Sequence, residues 1–270
     1  MAHYQQEKFV EEVKSNFPEF FTRTRVLEVG SWIVNGTLRT NFVSCDYVGV
    51  DISKGPGVDI AVPGQDLALP SDSFDIVISC NCFEHNAFWL ETFINMIRML
   101  KPGGLFVFSC AGIGHQEHGT RRKFSSCSLT SLDEETDYYG NLSKYDFERR
   151  MTLRNHFSRY VFIDNRYSKD LYFIGFKRGV PLDGTIEHKL ASLQRAVKKI
   201  TVAPGQTLTV GRRMRVNGRW WTEWYLARLL GEKKFHDLKY FSKNTERRYR
   251  HRIREMLGRS KPSSDDAGSA

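Results

Sequence analysis

Thr24-Arg-Val-Leu-Glu-Val-Gly-Ser-Trp-Ile-Val-Asn-Gly36 decides how this chain folds. Val26, Leu27 and Val29 make a short apolar run of the kind that becomes a buried parallel strand. Glu28 interrupts that run and Gly30 ends it. A loop follows, and Gly36-Thr-Leu-Arg-Thr-Asn-Phe-Val43 can open a helix. Strand, glycine turn and helix, in that order, form the place where an open α/β sheet binds an adenosine-type ligand. Gly30 has no Cβ, so the backbone there can approach a ligand closely. A second strand, Tyr47-Val-Gly-Val50, ends in Asp51, 21 residues after Gly30. An acid at that distance is placed to accept hydrogen bonds from ribose hydroxyls.

Dehydrogenases share the glycine turn, but not this spacing. Gly-x-Gly-x-x-Gly is absent, so the turn is not built as a pyrophosphate cradle. Glu28, just before it, would repel a phosphate and suits a cationic ligand. Further strands follow at Val58–Val62, Ile76–Cys80 and Leu105–Ser109, and Phe88, Leu90, Phe93, Ile94, Ile97 and Leu100 give the span 86–100 a broad apolar helical face. Asn86 can cap that helix and Lys101-Pro-Gly-Gly104 can stop it. Phe9, Val10, Val13 and Phe17 predict an amphipathic helix over 4–20, ended by Pro18. Ser143-Lys-Tyr-Asp146 reads as a capping box opening a helix to about His156. Tyr160–Asp164 and Leu171–Phe176 read as two adjacent strands.

These motifs together resemble the S-adenosylmethionine-dependent methyltransferases with a Rossmann-like fold. That family's first motif is an acid-x-Gly-x-Gly-x-Gly run. Glu28 and Gly30 match it, Ser31-Trp-Ile-Val-Asn35 replaces the middle, and Gly36 closes it. Leu100-Lys-Pro-Gly-Gly104 matches a further family signature. The likeness is strong over 24–110 and looser to 178. It implies a mostly parallel seven-stranded sheet with a final antiparallel strand, and S-adenosylmethionine as cofactor. It places cofactor contacts at Glu28, Gly30, Ser31, Gly36, Asp51, Ile52, Asp66, Leu67, Cys80 and Asn81, with Asp66 at the adenine amino group. Val34-Asn-Gly36, Gly55-Pro-Gly57, His118-Gly-Thr120 and Tyr138-Tyr-Gly140 resemble a bacterial group associated with surface-glycan or natural-product synthesis.

The stretch 111–142 is a long polar loop leaving the end of the fifth strand, and loops of that length are usually functional. Over the transferred methyl group it would form the acceptor pocket. A histidine near neutral pKa suits proton removal from a hydroxyl, so His118 in this loop and His85 after the fourth strand are the candidate catalytic residues. His115 has no assigned role. Glu117 and His118 could help hold a divalent ion but lack a third ligand, so no metal is expected.

The chain has 270 residues, 40% of them hydrophobic, enough for one large domain with an appendage. Its five cysteines are odd in number, which argues against a disulfide framework, and Cys80-x-Cys82 has the wrong spacing for zinc. No apolar run approaches the ~18 residues of a membrane span, and the N-terminal residues lack a signal peptide's apolar core. A cytoplasmic protein is expected, at most peripheral to the inner face of a membrane. The net charge of +9 sits at the back: residues 185–261 hold 20 Lys and Arg against 6 Asp and Glu. That contrast predicts a domain over 1–180, a basic extension over 181–260 and a disordered tail over 261–270.

Strands are expected in the extension at Ile200–Val202 and Thr207–Val210, with a hairpin about Asn217-Gly218 and a basic helix over Lys233–Arg259. Residues 212–259 could meet an anionic membrane or another polyanion. Three function classes follow. The first is an O-methyltransferase of a saccharide or other small acceptor. The second is an RNA methyltransferase using arginines interleaved with aromatics. Ser79-Cys-Asn-Cys-Phe83 at the end of the fourth strand is no Asn-Pro-Pro-Tyr base-methylation motif, which counts against part of that class. The third is a non-catalytic module binding a membrane or a partner through the tail.

Overall fold

The computed structural model describes residues 4–34, 36–132, 134–200, 209–231, 234–235 and 237–238. Seven strands form one sheet: β1 (Arg25–Val29), β2 (Asp46–Asp51), β3 (Ile60–Ala61), β4 (Phe74–Cys80), β5 (Leu100–Ala111), β6 (Phe157–Asp164) and β7 (Asp170–Lys177). Their order is β3-β2-β1-β4-β5-β7-β6. The pairs from β3 to β5 are parallel, and β7 runs antiparallel between β5 and β6. This is the sheet that the methyltransferase resemblance implies.

Alternation along the strands sends side chains to two apolar layers. Leu27, Val29, Phe106, Phe108 and Phe173 face α2 (Trp89–Met99) and the short helices α3 (Lys144–Arg150) and α4 (Leu153–His156). Val26, Ile76, Ile78, Val107 and Ile174 face α1 (Tyr4–Asn16) and α5 (Ile186–Lys199). Phe93 of α2 sits at the centre of the first layer. Its ring centroid lies 4.9 Å from Phe106, 5.1 Å from Phe147 and 6.0 Å from Phe173. The capping box at Ser143 and Asp146 is formed, with Ser143 N donating to Asp146 Oδ2 at 2.7 Å. The helical run ends early, because Met151 and Thr152 leave the helix before α4 begins.

Two expectations are corrected. The segment after Gly36 forms no long helix, only a single 3-10 turn at Arg39–Asn41. Val43 N already bonds to Phe21 O, so the chain is pulled into the sheet layer before a second turn can form. The Asn217-Gly218 hairpin is also absent. Those residues lie inside one helix, α6 (Val210–Leu230). A helical glycine costs about 1 kcal/mol. Against that, Glu223 accepts from Arg219 one turn away at 2.9 Å and pairs with Lys169, while Trp220 is buried beneath Arg166. A hairpin would offer those partners nothing. The strands expected at 200–202 and 207–210 lie almost wholly outside the described residues, as do the 233–259 helix and the 261–270 tail.

The chain divides into two compact units, Met1–Trp224 and Tyr225–Ala270. Helix α5 packs within the first. Leu190, Leu193 and Val197 are buried in the layer under α1, and Asn165 donates to the Ile200 carbonyl at 3.1 Å. The charge contrast marks where basic residues begin, but α5's apolar stripe belongs to the sheet. No helix among the described residues is long and apolar enough to cross a membrane. Leu193→Ala should therefore lower the stability of the whole sheet domain by about 2–5 kcal/mol, the range for emptying a buried leucine site. Urea unfolding with unchanged m-value checks this, and a wild-type midpoint would show α5 to be a loose appendage.

Candidate functional site

At the carboxyl ends of β1, β2 and β4 lies a cleft of about 380 Å³. Strand order makes it. β1 sits between β2 and β4, whose connections leave in opposite directions, so the sheet opens a crevice there. Gly30 turns at φ 86°, and a Cβ on it would stand 2.6 Å from Cys82 Cβ. Both the backbone conformation and the space therefore require glycine. Gly30 N and Ser31 N both donate to the Val50 carbonyl, at 2.8 and 3.1 Å, which ties the turn to β2.

Asp51 ends β2 on the cleft wall. Its Oδ2 accepts from Trp32 N at 3.0 Å and its Oδ1 from Ile52 N at 2.8 Å. Each carboxylate oxygen keeps a second lone pair for a ligand hydroxyl. Burial raises the pKa of Asp51, and the two backbone donors work against that rise. Across the crevice, Asn81 takes a left-handed turn at φ 51°, a conformation asparagine tolerates. Behind it Asn86 Oδ1 accepts from Phe88 N, and Asn86 Nδ2 donates to Thr92 Oγ1, both at 2.8 Å. Thr92 in turn donates to Gln65 Oε1 at 3.1 Å, holding Gln65 in the wall.

Of the residues assigned to the cofactor from the sequence, Gly30, Asp51, Ile52 and Asn81 line this cleft. Ser31, Gly36, Asp66, Leu67 and Cys80 are not among its lining residues. Leu67 and Cys80 are buried in the two apolar layers instead. Glu28 is elsewhere too. It alternates with Leu27 and Val29, so it points with Val26 toward the α1 side of the sheet. There it accepts from Tyr47 Oη at 2.7 Å. Burial pushes its pKa up to about 7, with the Tyr47 bond opposing. Trp32, Gln65 and Phe88 line the cleft without having been singled out, and so do Ser128, Thr130 and Thr136 from the long loop. The polar richness of that loop was the available signal. The charged residues of the wall are acidic, Asp51 and Glu135, with no Lys or Arg among the described lining residues.

His85 lines the cleft and is 6% exposed. Gly119 (φ 62°) packs so tightly on it that a Cβ there would meet His85 Cε1 at 2.6 Å. His118 stands edge-on to His85, ring centroids 4.9 Å apart, with His115 5.0 Å beyond it and Tyr139 5.2 Å away. Burial, with the neighbouring imidazoles, holds the His85 pKa well below its ordinary value, so His85 is neutral. His118 Nδ1 lies 3.0 Å from the Gln116 carbonyl. A carbonyl only accepts, so that nitrogen carries a proton. His118 itself is not a lining residue: it backs His85.

Glu117 takes no part in this group. Its carboxylate accepts from Arg122 Nε and Nη2 at 2.7 and 2.6 Å and from Thr120 Oγ1 at 2.9 Å, which folds the loop on itself. The neighbour that does join the imidazoles is Glu84, which is fully buried. Burial pushes its pKa up to about 8.

Residues 1–159 match a family described as Methyltransferase domain. No curated protein matches the sequence. Among solved structures, the 1,6-didemethyltoxoflavin-N1-methyltransferase of Burkholderia thailandensis is 13% identical, covers 64% of this chain and 79% of its own, and has a TM-score of 0.43. The CurJ carbon methyltransferase is 13% identical over 66% of this chain and 56% of its own, with a TM-score of 0.47. A phosphoethanolamine N-methyltransferase of Haemonchus contortus is 18% identical over 64% of this chain and 53% of its own, at 0.45. At these identities none of them identifies an acceptor for this chain.

The buried Glu28 sets a pH dependence. Its folded pKa is raised from 4.5 to about 7, so the folded state favours the neutral acid. Its contribution is therefore fully present below the unfolded value and is lost as pH rises through about 7. Glu28→Gln, neutral throughout, should be more stable than the wild type at pH 8 by up to about 3 kcal/mol, with much of that difference gone at pH 5. Melting temperatures of both proteins at the two pH values check this, and a difference independent of pH would mean that Glu28 is ionised in the fold.

Proposed function

This chain belongs to the methyltransferase-domain family, and we propose that it methylates a hydroxyl of a saccharide or other small acceptor, using S-adenosylmethionine. The observation that carries the reading is the charge of the cleft. It joins a ribose-accepting carboxylate to walls without a cationic side chain among the described residues. Such a cleft suits a sulfonium nucleoside and discourages a pyrophosphate or a nucleic-acid backbone.

Bound, the cofactor supplies an electrophilic methyl group for in-line attack. The chain's residues do the rest. Asp51 accepts from the ribose hydroxyls, while Gln65 and Asn86, held through Thr92, present amides to the ligand. Ser128, Thr130 and Thr136 offer hydroxyls to a polar acceptor and help close the cleft against water. His85 meets the acceptor hydroxyl, and His118 behind it orients that ring or takes the proton. A small acceptor also fits a cleft of this volume.

Calorimetry should find S-adenosylmethionine binding that Asp51→Ala weakens by about 1–3 kcal/mol, the scale of hydrogen bonds to a charged group, with no competition from NAD. Tight NAD binding without S-adenosylmethionine binding would overturn the reading. With an acceptor found from a panel of sugars, glycosides and phenols, with RNA as the competing class, His118→Ala should lower turnover about 10²-fold while cofactor affinity stays near wild type. Unchanged turnover would remove His118 from the mechanism.

A further inference from the structure

Glu84 is 0% exposed, and neither oxygen of its carboxyl makes a hydrogen bond of ordinary geometry. The Nδ1 of His85 likewise has no hydrogen-bond partner. One ligand atom each from Glu84, His85 and His118 lies within 4.8 Å of the other two. A buried carboxyl either stays neutral or, when ionised, is paired with a cation or holds a metal. Several basic side chains near this loop pair with other acids: Arg121 with Glu134, Arg122 with Glu117, and Lys169 with Glu223.

We propose that Glu84, His85 and His118 bind one divalent first-row transition-metal ion at the acceptor end of the cleft. Two imidazoles and a carboxylate suit zinc, iron or cobalt, whereas magnesium and calcium favour oxygen ligands throughout. The Gln116 carbonyl accepts from His118 Nδ1, the kind of outer hydrogen bond that orients metal-bound histidines. Three protein ligands leave a coordination position open. His85 is also a wall of the cleft, so an ion held there borders the acceptor space and can take the acceptor's oxygen in place of His85, with His118 then a ligand and not the proton acceptor. The acceptor part of this inference rests on the methyl-transfer reading; the ion site does not. The site also has a structural consequence. Glu84 and His85 follow β4 while His118 belongs to the loop after β5, so an ion would fasten that loop to the sheet.

The full chain, stripped with a chelator, is titrated with zinc by calorimetry and with cobalt by visible absorption, and melted with and without zinc. One ion per chain should bind, raise the melting temperature and resist millimolar magnesium. Glu84→Gln and His118→Ala should each weaken zinc binding about tenfold or more, while His188→Ala, an exposed histidine on α5, should not. His118→Ala decides the matter if Glu84→Gln fails to fold. No stoichiometric zinc or cobalt binding, or equal binding in all three variants, would overturn the site. S-adenosylmethionine affinity measured on the same stripped protein separates the two readings. Retained cofactor binding without ion binding rejects only the metal site. Ion binding without cofactor binding rejects only the methyl-transfer reading.

Discussion

The close approach of two strand ends is the constraint on which the site depends. β1 and β4 are neighbours in the sheet, and where they end Gly30 and Cys82 pack closer than any Cβ on residue 30 would allow. A side chain there would push the two loops apart and break the hold of the Val50 carbonyl on Gly30 and Ser31. Asp51 would then lose Trp32 N as a donor, because the same turn presents it. One missing methyl group thus connects the turn, the carboxylate and the cleft.

The second feature of the site is the placement of acids in the sheet's interior. Glu28 and Glu84 are both buried, and both are driven toward the neutral form mainly by loss of water. Their surroundings differ. Glu28 has a phenol donor in Tyr47, which satisfies one oxygen away from the cleft. Glu84 has imidazoles beside it and no ordinary hydrogen bond of its own. A buried acid with a hydroxyl partner is a stable arrangement of the core, whereas one beside two histidines calls for a proton or a cation. The difference follows from position: Glu28 lies within a strand, and Glu84 lies just past one, at the end of the sheet where ligands bind.

The long loop links these parts. It is folded by its own polar contacts, Glu117 with Arg122 and Thr120, and Asn141 with the His115 carbonyl. Those bonds hold His118 against His85 and leave Ser128, Thr130 and Thr136 on the cleft wall. Short local sequence patterns do not dictate such a loop. Its shape depends on side chains brought together by the pairing of β5 with β7 and by the bond from Gly112 N to the Lys169 carbonyl.

By itself the sequence determined the sheet, the glycine turn, Asp51 at the end of β2 and the capping box at Ser143, because each is written in local pattern. Short apolar runs mark buried strands, a glycine marks a forced turn, and a serine with an acid three residues on marks a helix start. It also singled out His85 and His118, though from residue type and loop position alone. Only the tertiary structure decided that Glu84 rather than Glu117 joins them, since both precede a histidine and only burial and the Arg122 pair tell them apart. It decided that Glu28 faces α1, a matter of strand parity. It also turned Asn217-Gly218 into helix, because Glu223, Trp220 and their partners from residues 166 and 169 outweigh a local turn preference, and no short-range pattern contains those distant partners.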